Sequence, residues 1–194
     1  FNEQVDIYAL APVARGWRWI TPSFARTGIR NFMATLRMPI VLGNDLLQLK
    51  AADAAFDGLR VVYNVSFGIA GLIDVASQVD IPANDEDFGQ TLGYWGVPAG
   101  PYLVLPFLGP ANIRDGVGLI GDAATGMIYT GLPFYGVLVV RGVDLVNWRS
   151  DYLEEVDENR RESFDYYVSL RDAYLQNRRA RVGRDIEGEG EKGG

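Results

Sequence analysis

Four carboxylates crowd into eight residues at Asp80, Asp85, Glu86 and Asp87. Such groups either hold hard cations through oxygen or act in pairs as general acid and base. The spacing favours neither. A calcium loop needs acids at alternating positions and a glycine at the sixth, which this run lacks. A glycosidase-type pair needs a carboxyl separation that sequence does not fix. A solvated acidic loop, with no metal, is the simpler reading. Of the serines Ser23, Ser66, Ser77, Ser150, Ser163 and Ser169, none sits in Gly-x-Ser-x-Gly; the nearest, Asn64-Val-Ser-Phe-Gly68, lacks the first glycine. The chain has no His and no Cys. That removes Ser-His-Asp and Cys-His machinery, and zinc sites built on those ligands. The glycine-rich runs at 89–100 and 116–121 contain no phosphate-cradling loop, so no nucleotide cofactor is expected.

With that chemistry set aside, the composition points toward lipid. The 194 residues suit one domain. Hydrophobic residues make up 48%, and 23 are Gly, well above the usual share of about 7%. Glycine lets backbones approach closely, as in helix packing within lipid. The net charge is −7, which excludes a nucleic-acid footprint and argues against simple electrostatic docking on anionic lipid. The longest apolar runs, 61–76, 97–108 and 127–140, are each broken by polar residues, Pro or Gly. A spanning helix needs roughly 20 mostly apolar residues. Runs of this length suit a buried core helix, a re-entrant piece or an interfacial segment, and on the runs alone an ordinary buried core is the simpler reading. Trp17, Trp19, Trp95 and Trp148 could serve either an interfacial belt or ordinary packing.

The expected elements are mostly α-helical. Thr21-Pro22 predicts a helix start, followed by Ile29, Phe32, Met33 and Leu36 on one face; Pro39 should end or kink this helix. Residues 51–67 carry a second stripe of Ala55, Phe56, Leu59, Val62 and Tyr63. Gly109-Pro110 and Leu132-Pro133 predict two further starts. Strand signals are sparse. The pairs Asp151/Glu154 and Asn159/Glu162 resemble capping boxes. The second starts a polar helix over 159–183, which divides off a preceding part over 1–158 that holds the three apolar runs. A disordered tail is expected over 184–194.

Residues 85–115, DEDFGQTLGYWGVPAGPYLVLPFLGPANIRD, pass from an acidic run through dense turn formers into an apolar block broken by Pro106. This reads as a bent, irregular segment that lines something. The whole block resembles the signature region of the MlaA (VacJ) family of outer-membrane lipoproteins. Tyr8-Ala-Leu-Ala-Pro-Val with Arg15 and Trp17, Gly28-Ile-Arg-Asn-Phe32 and Gly68-Ile-Ala-Gly-Leu-Ile-Asp-Val-Ala76 match the family pattern in the same order. The resemblance covers roughly residues 1–183.

This resemblance implies a ring-like assembly of helices around a central passage, held in the inner leaflet of the outer membrane. Phospholipids misplaced in the outer leaflet would leave through it toward the periplasm without a covalent step or cofactor. The implied partners are a porin trimer and the soluble periplasmic lipid carrier MlaC. A lipid-modified Cys is expected ahead of Phe1 as the anchor. In the passage, Leu103, Leu105 and Phe107 are expected to meet lipid tails, and Gln90, Asn112 and Arg114 headgroups. Asn31 and Phe32 are expected at its rim. Tyr167, Tyr174, Arg178, Arg179 and Arg181 on the C-terminal helix are expected to dock the carrier. A hydrolase of lipid or cell-wall carbohydrate using Asp85 and Asp87, or a structural membrane scaffold, remain the alternatives at this point.

Overall fold

The computed structural model describes residues 1–190, with side chains described through Gly183. Of the tail expected to lack structure, residues 184–190 continue the last helix and residues 191–194 lie outside the described part. The chain is mostly α. It opens with α1 (Asn2–Val5) and α2 (Ala11–Ile20), joined into one rod by a π-helical turn at Asp6–Leu10. Pro12 accounts for the turn: it has no N–H to give, and its ring crowds the carbonyl four residues back. The rod widens there, and the Ala11 N–H bonds the Asp6 carbonyl.

Two long helices follow, α3 (Ser23–Leu47) and α4 (Ala51–Ser66), which pack on each other through the short connection at 48–50. Pro39 does not end α3. A short α5 (Val75–Gln78) and α6 (Phe88–Tyr94) are capped by Asp74 and Asp87, whose carboxylates accept backbone N–H bonds. The apolar block then forms a small antiparallel hairpin, β1 (Tyr102–Leu105) and β2 (Gly109–Asn112), with Tyr102 opposite Asn112 and Leu105 opposite Gly109. Two strands have only edges, so Pro110 sits in a sheet without breaking one, and Pro106 falls in the turn. Gly109-Pro110 therefore begins a strand, not a helix. The next helix, α7 (Ile113–Thr130), starts at the Asn112 cap and ends on Gly131 at φ 66°. After Pro133, α8 (Phe134–Asp151) leaves at 108° to α7. Among the described residues no single helix is long and apolar enough to cross a membrane.

The expected C-terminal helix is two helices, α9 (Leu153–Glu162) and α10 (Tyr166–Gly190), broken at 163–165. Neither expected capping box forms. Asp151 is the last residue of α8 and binds Arg26 and Arg30 at 2.9 and 3.0 Å, while Asn159 lies inside α9. Asp165 instead accepts from the N–H groups of Tyr167 and Val168.

Burial is inverted relative to a water-soluble domain. Among the described residues, seventeen polar or charged side chains are buried against nine apolar ones, and five of those nine are alanines at positions 11, 14, 54, 76 and 111. On α4 the buried positions are Ala54, Asp57, Arg60 and Asn64, whereas Phe56, Leu59 and Val62 of the expected stripe point outward. Exposed Ile69, Ile120, Ile128, Phe134, Leu138 and Val139 extend this apolar surface over the 68–73 loop, α7 and α8. A polar interior with its hydrogen bonds made inside and an apolar exterior suit hydrocarbon as the surrounding solvent.

Candidate functional site

A cavity of about 640 Å³ lies where the N-terminal rod, the β-hairpin, α8, α9 and α10 face one another. The N-terminal segment closes on the hairpin through Asn2. Its amide donates to the Leu105 carbonyl at 2.8 Å and accepts from the Phe107 N–H at 3.1 Å. Phe1 stacks edge-on against Phe107. On the other side the rod joins α8 through Trp17, whose indole N–H donates to Asn147 Oδ1 at 3.1 Å. The elements thus surround a space whose wall is largely apolar, with Leu10, Val13, Val104, Leu108, Leu145 and Val156 in it.

Charge enters this wall at one place. Arg149, 1% exposed, is held by Asp6 at 2.8 Å and Asp157 at 2.7 Å. Arg160 also reaches Asp6, at 2.5 Å, and Arg15 pairs with Asp157 at 3.1 Å. Burial alone would raise the Asp6 carboxyl, but hydrogen bonds from Arg149 and Arg160 hold it below the usual carboxylate range. For Arg149 burial works the other way, and Asp6 and Asp157 keep it firmly protonated. The cavity is therefore amphipathic: room and surface for acyl chains, with a fixed ionic cluster on one side.

A second polar cluster lies apart from the cavity, where α6, α7 and α10 meet. Arg178 bridges Asp87 at 2.6 Å and Asp115 at 2.7 Å. Tyr174 donates its hydroxyl to Asp115, and Arg114 adds a contact at 3.0 Å. Burial would raise Asp115, yet Arg178 and Tyr174 hold it low. Helices α6 and α7 touch through glycine here: a Cβ on Gly118 would stand 2.4 Å from the Gly89 nitrogen. The glycine-rich signature block thus packs two helices tightly enough to seat a buried ion network.

The expected passage residues divide between these places. Phe107 lines the cavity. Strand alternation puts Val104 on the cavity wall and leaves Leu103 and Leu105 off it. Gln90, Asn112 and Arg114 also lie off it. Gln90 donates to the Asp85 carbonyl, Asn112 caps α7, and Arg114 pairs with Asp115. Asn31 donates to the Leu72 carbonyl at 3.2 Å, and Phe32 is exposed on α3, both away from the cavity. Of the expected docking residues, Tyr174 and Arg178 point into the protein as described. Arg181 binds Asp85 at 2.8 Å, Arg179 is exposed, and Tyr167 lies against Tyr102 with part of it on the cavity wall. Asp85 and Asp87 are engaged by Arg37, Arg181 and Arg178, so neither stands as a base facing a cleft. Among the described residues no group of three or more His, Cys, Asp or Glu could hold a metal ion.

Sequence reasoning missed Asp6, Arg149 and Arg160. Asp6 and Arg149 stand as single charges beside apolar residues, Arg160 is hidden in the charged run 154–162, and Asp6 and Arg149 are 143 residues apart.

Residues 1–181 match the MlaA lipoprotein family. The chain is 35% identical over 188 residues to the intermembrane phospholipid transport system lipoprotein MlaA of Escherichia coli (strain K12), covering 91% of this chain and 71% of that protein. To the protein of the same name from Haemophilus influenzae it is 34% identical over 191 residues, covering 94% and 74%. An uncharacterized Rickettsia felis protein is 36% identical over 186 residues, covering 94% and 73%. A structure solved in work on the structural basis for maintenance of bacterial outer membrane lipid asymmetry superposes with a TM-score of 0.75 at 32% identity, over 94% of this chain and 92% of that one. With residue blocks, helical order and overall fold all in agreement, the chain belongs to the MlaA lipoprotein family.

Proposed function

We propose that this protein carries phospholipid out of the outer membrane through the cavity, without a covalent step, and so maintains lipid asymmetry. The observation that carries this reading is the pairing of an inside-out surface with an amphipathic cavity. Apolar faces of α4, α7 and α8 hold the protein in the hydrocarbon of one leaflet, and its polar interior needs no water there. The apolar cavity wall accepts acyl chains and the Asp6–Arg149–Arg160 cluster meets the headgroup. Lipid is the transported ligand, and the protein works within the Mla pathway.

Two finer assignments belong to the same proposal. The outward apolar faces offer a surface to a porin trimer, and the exposed side of α10, with Arg179 and Tyr167, offers one to a soluble periplasmic carrier such as MlaC. Opposite charge on the carrier would favour the second contact.

The test is Leu145→Arg, which places a charged side chain into the apolar cavity wall. In cells that depend on this protein, outer-leaflet phospholipid should rise as in cells without it, with the variant present at normal level in the outer membrane. Normal asymmetry in that strain would overturn the cavity as the lipid path.

A further inference from the structure

The ionic cluster of the cavity contains three arginines, Arg15, Arg149 and Arg160, and three acids, Glu3, Asp6 and Asp157. Its formal charges cancel. The members are not held equally. Arg149 is enclosed: besides Asp6 and Asp157 it donates to the carbonyls of Tyr152 and Leu153. It has no donor left for a ligand. Arg160 differs. It lies over the Tyr166 ring at 5.5 Å and holds Asp6 closely, but Glu3 stands 3.7 Å from its Nε, beyond hydrogen-bond reach. That Nε has no hydrogen-bond partner although it is buried. Glu3 is the most exposed acid of the cluster, with 47% of its side chain open. Both residues line the cavity.

A loose pair beside an unused buried donor is a site awaiting a ligand, since buried polar groups in folded proteins normally find partners. Charge balance selects that ligand. An anionic headgroup placed on Arg160 would leave Glu3 facing an added negative charge beside an apolar wall, where uncompensated charge is costly. A zwitterionic headgroup opens one weak pair and makes two: its phosphate takes Arg160, and its ammonium takes Glu3. The net charge of the site is unchanged, and both new contacts are charge-assisted.

We propose that Glu3 and Arg160 form a headgroup subsite selective for zwitterionic phospholipid. The assignment rests on the reading of the cavity as the lipid path. The site discriminates at the headgroup while the apolar wall accepts any tails.

Native mass spectrometry of the full chain from mild detergent tests it, with phosphatidylethanolamine and phosphatidylglycerol of identical acyl chains supplied in equal amounts. The protein should retain the ethanolamine lipid over the glycerol lipid by roughly tenfold, the worth of one charge-assisted contact. Glu3→Gln should bring the ratio near one while keeping the fold, because Glu3 is exposed and only loosely held. Arg160→Gln should weaken retention of both lipids. An even ratio for the unaltered protein, or a ratio unmoved by Glu3→Gln, would overturn the subsite and leave the passage standing. Retention of neither lipid would overturn the passage itself. Glycerophosphoethanolamine, the headgroup without tails, should not displace bound lipid; displacement at equal concentration would make this a site for a soluble zwitterion and overturn the lipid assignment.

Discussion

Asp45 on α3 and Asp57 on α4 are both fully buried and close enough to raise each other's cost of ionising. Two such carboxylates are accommodated together when one carries a proton. Burial comes first among the causes, then Asp57, Glu86 and Asp53, and together they push Asp45 up to about 8. Asp57 is raised as well, with Arg60 working against the rise. Around the pair, Asn84 donates to Asp45 at 2.7 Å and Lys50 neutralises Glu86 at 3.0 Å. In the unfolded chain Asp45 titrates near 3.8, so the native state holds the extra proton between that value and about 8. Stability from this pair is therefore complete at low pH and falls as pH rises through 8. Asp45→Asn should flatten that decline, seen as a melting temperature nearly constant between pH 5 and pH 9. A variant that loses stability with pH as steeply as the unaltered chain would show that the pair does not hold the proton. None of this was legible beforehand, because Asp45 and Asp57 look like ordinary surface acids until the fold turns their helix faces inward.

At the scale of elements, α10 is bonded into the ring rather than standing apart from it. Arg178 crosses from α10 to the α6 cap and to α7, and Tyr102 of the hairpin packs against both Tyr167 and Tyr174. Arg178→Ala would strip two acids of their cation, a loss of about 3–5 kcal/mol for a buried pair. Chemical denaturation should show it as a shifted midpoint, whereas Arg179→Ala on the exposed side should leave the midpoint in place. Equal midpoints for both variants would mean that α10 contributes little to the fold. The helices of this chain were largely readable: α3 and α4 follow from apolar spacing and the Thr21-Pro22 start, and α8 from Leu132-Pro133, whereas the start expected at Gly109-Pro110 is a strand and α7 begins only after it. Which face turns inward was not readable, because a period of 3.6 marks two faces without naming the solvent. The break at 163–165 and the hairpin at 102–112 escaped for a related reason, since both are fixed by long-range partners such as Tyr102 against Tyr174.

The whole molecule carries its apolar surface outside, and its high hydrophobic content becomes intelligible only in that light. The bend between α7 and α8 gives this surface its shape. Two helices of 18 residues each, meeting at 108°, cannot run on as one rod through both monolayers. Held in one monolayer, as proposed, they would take area from it and none from the other, and the protein would act as a wedge. The host monolayer must spread around it while the opposite one keeps its area, and that mismatch is a bending moment on the membrane. Vesicles of small radius, whose outer monolayer is already spread, should therefore take up more protein per unit lipid area than large vesicles of the same composition. Flotation would measure this, and equal uptake at both radii would show that the bend exerts no such moment. Each inserted copy would thus alter the lateral tension of the monolayer that surrounds it, as a mechanical effect separate from any lipid it moves.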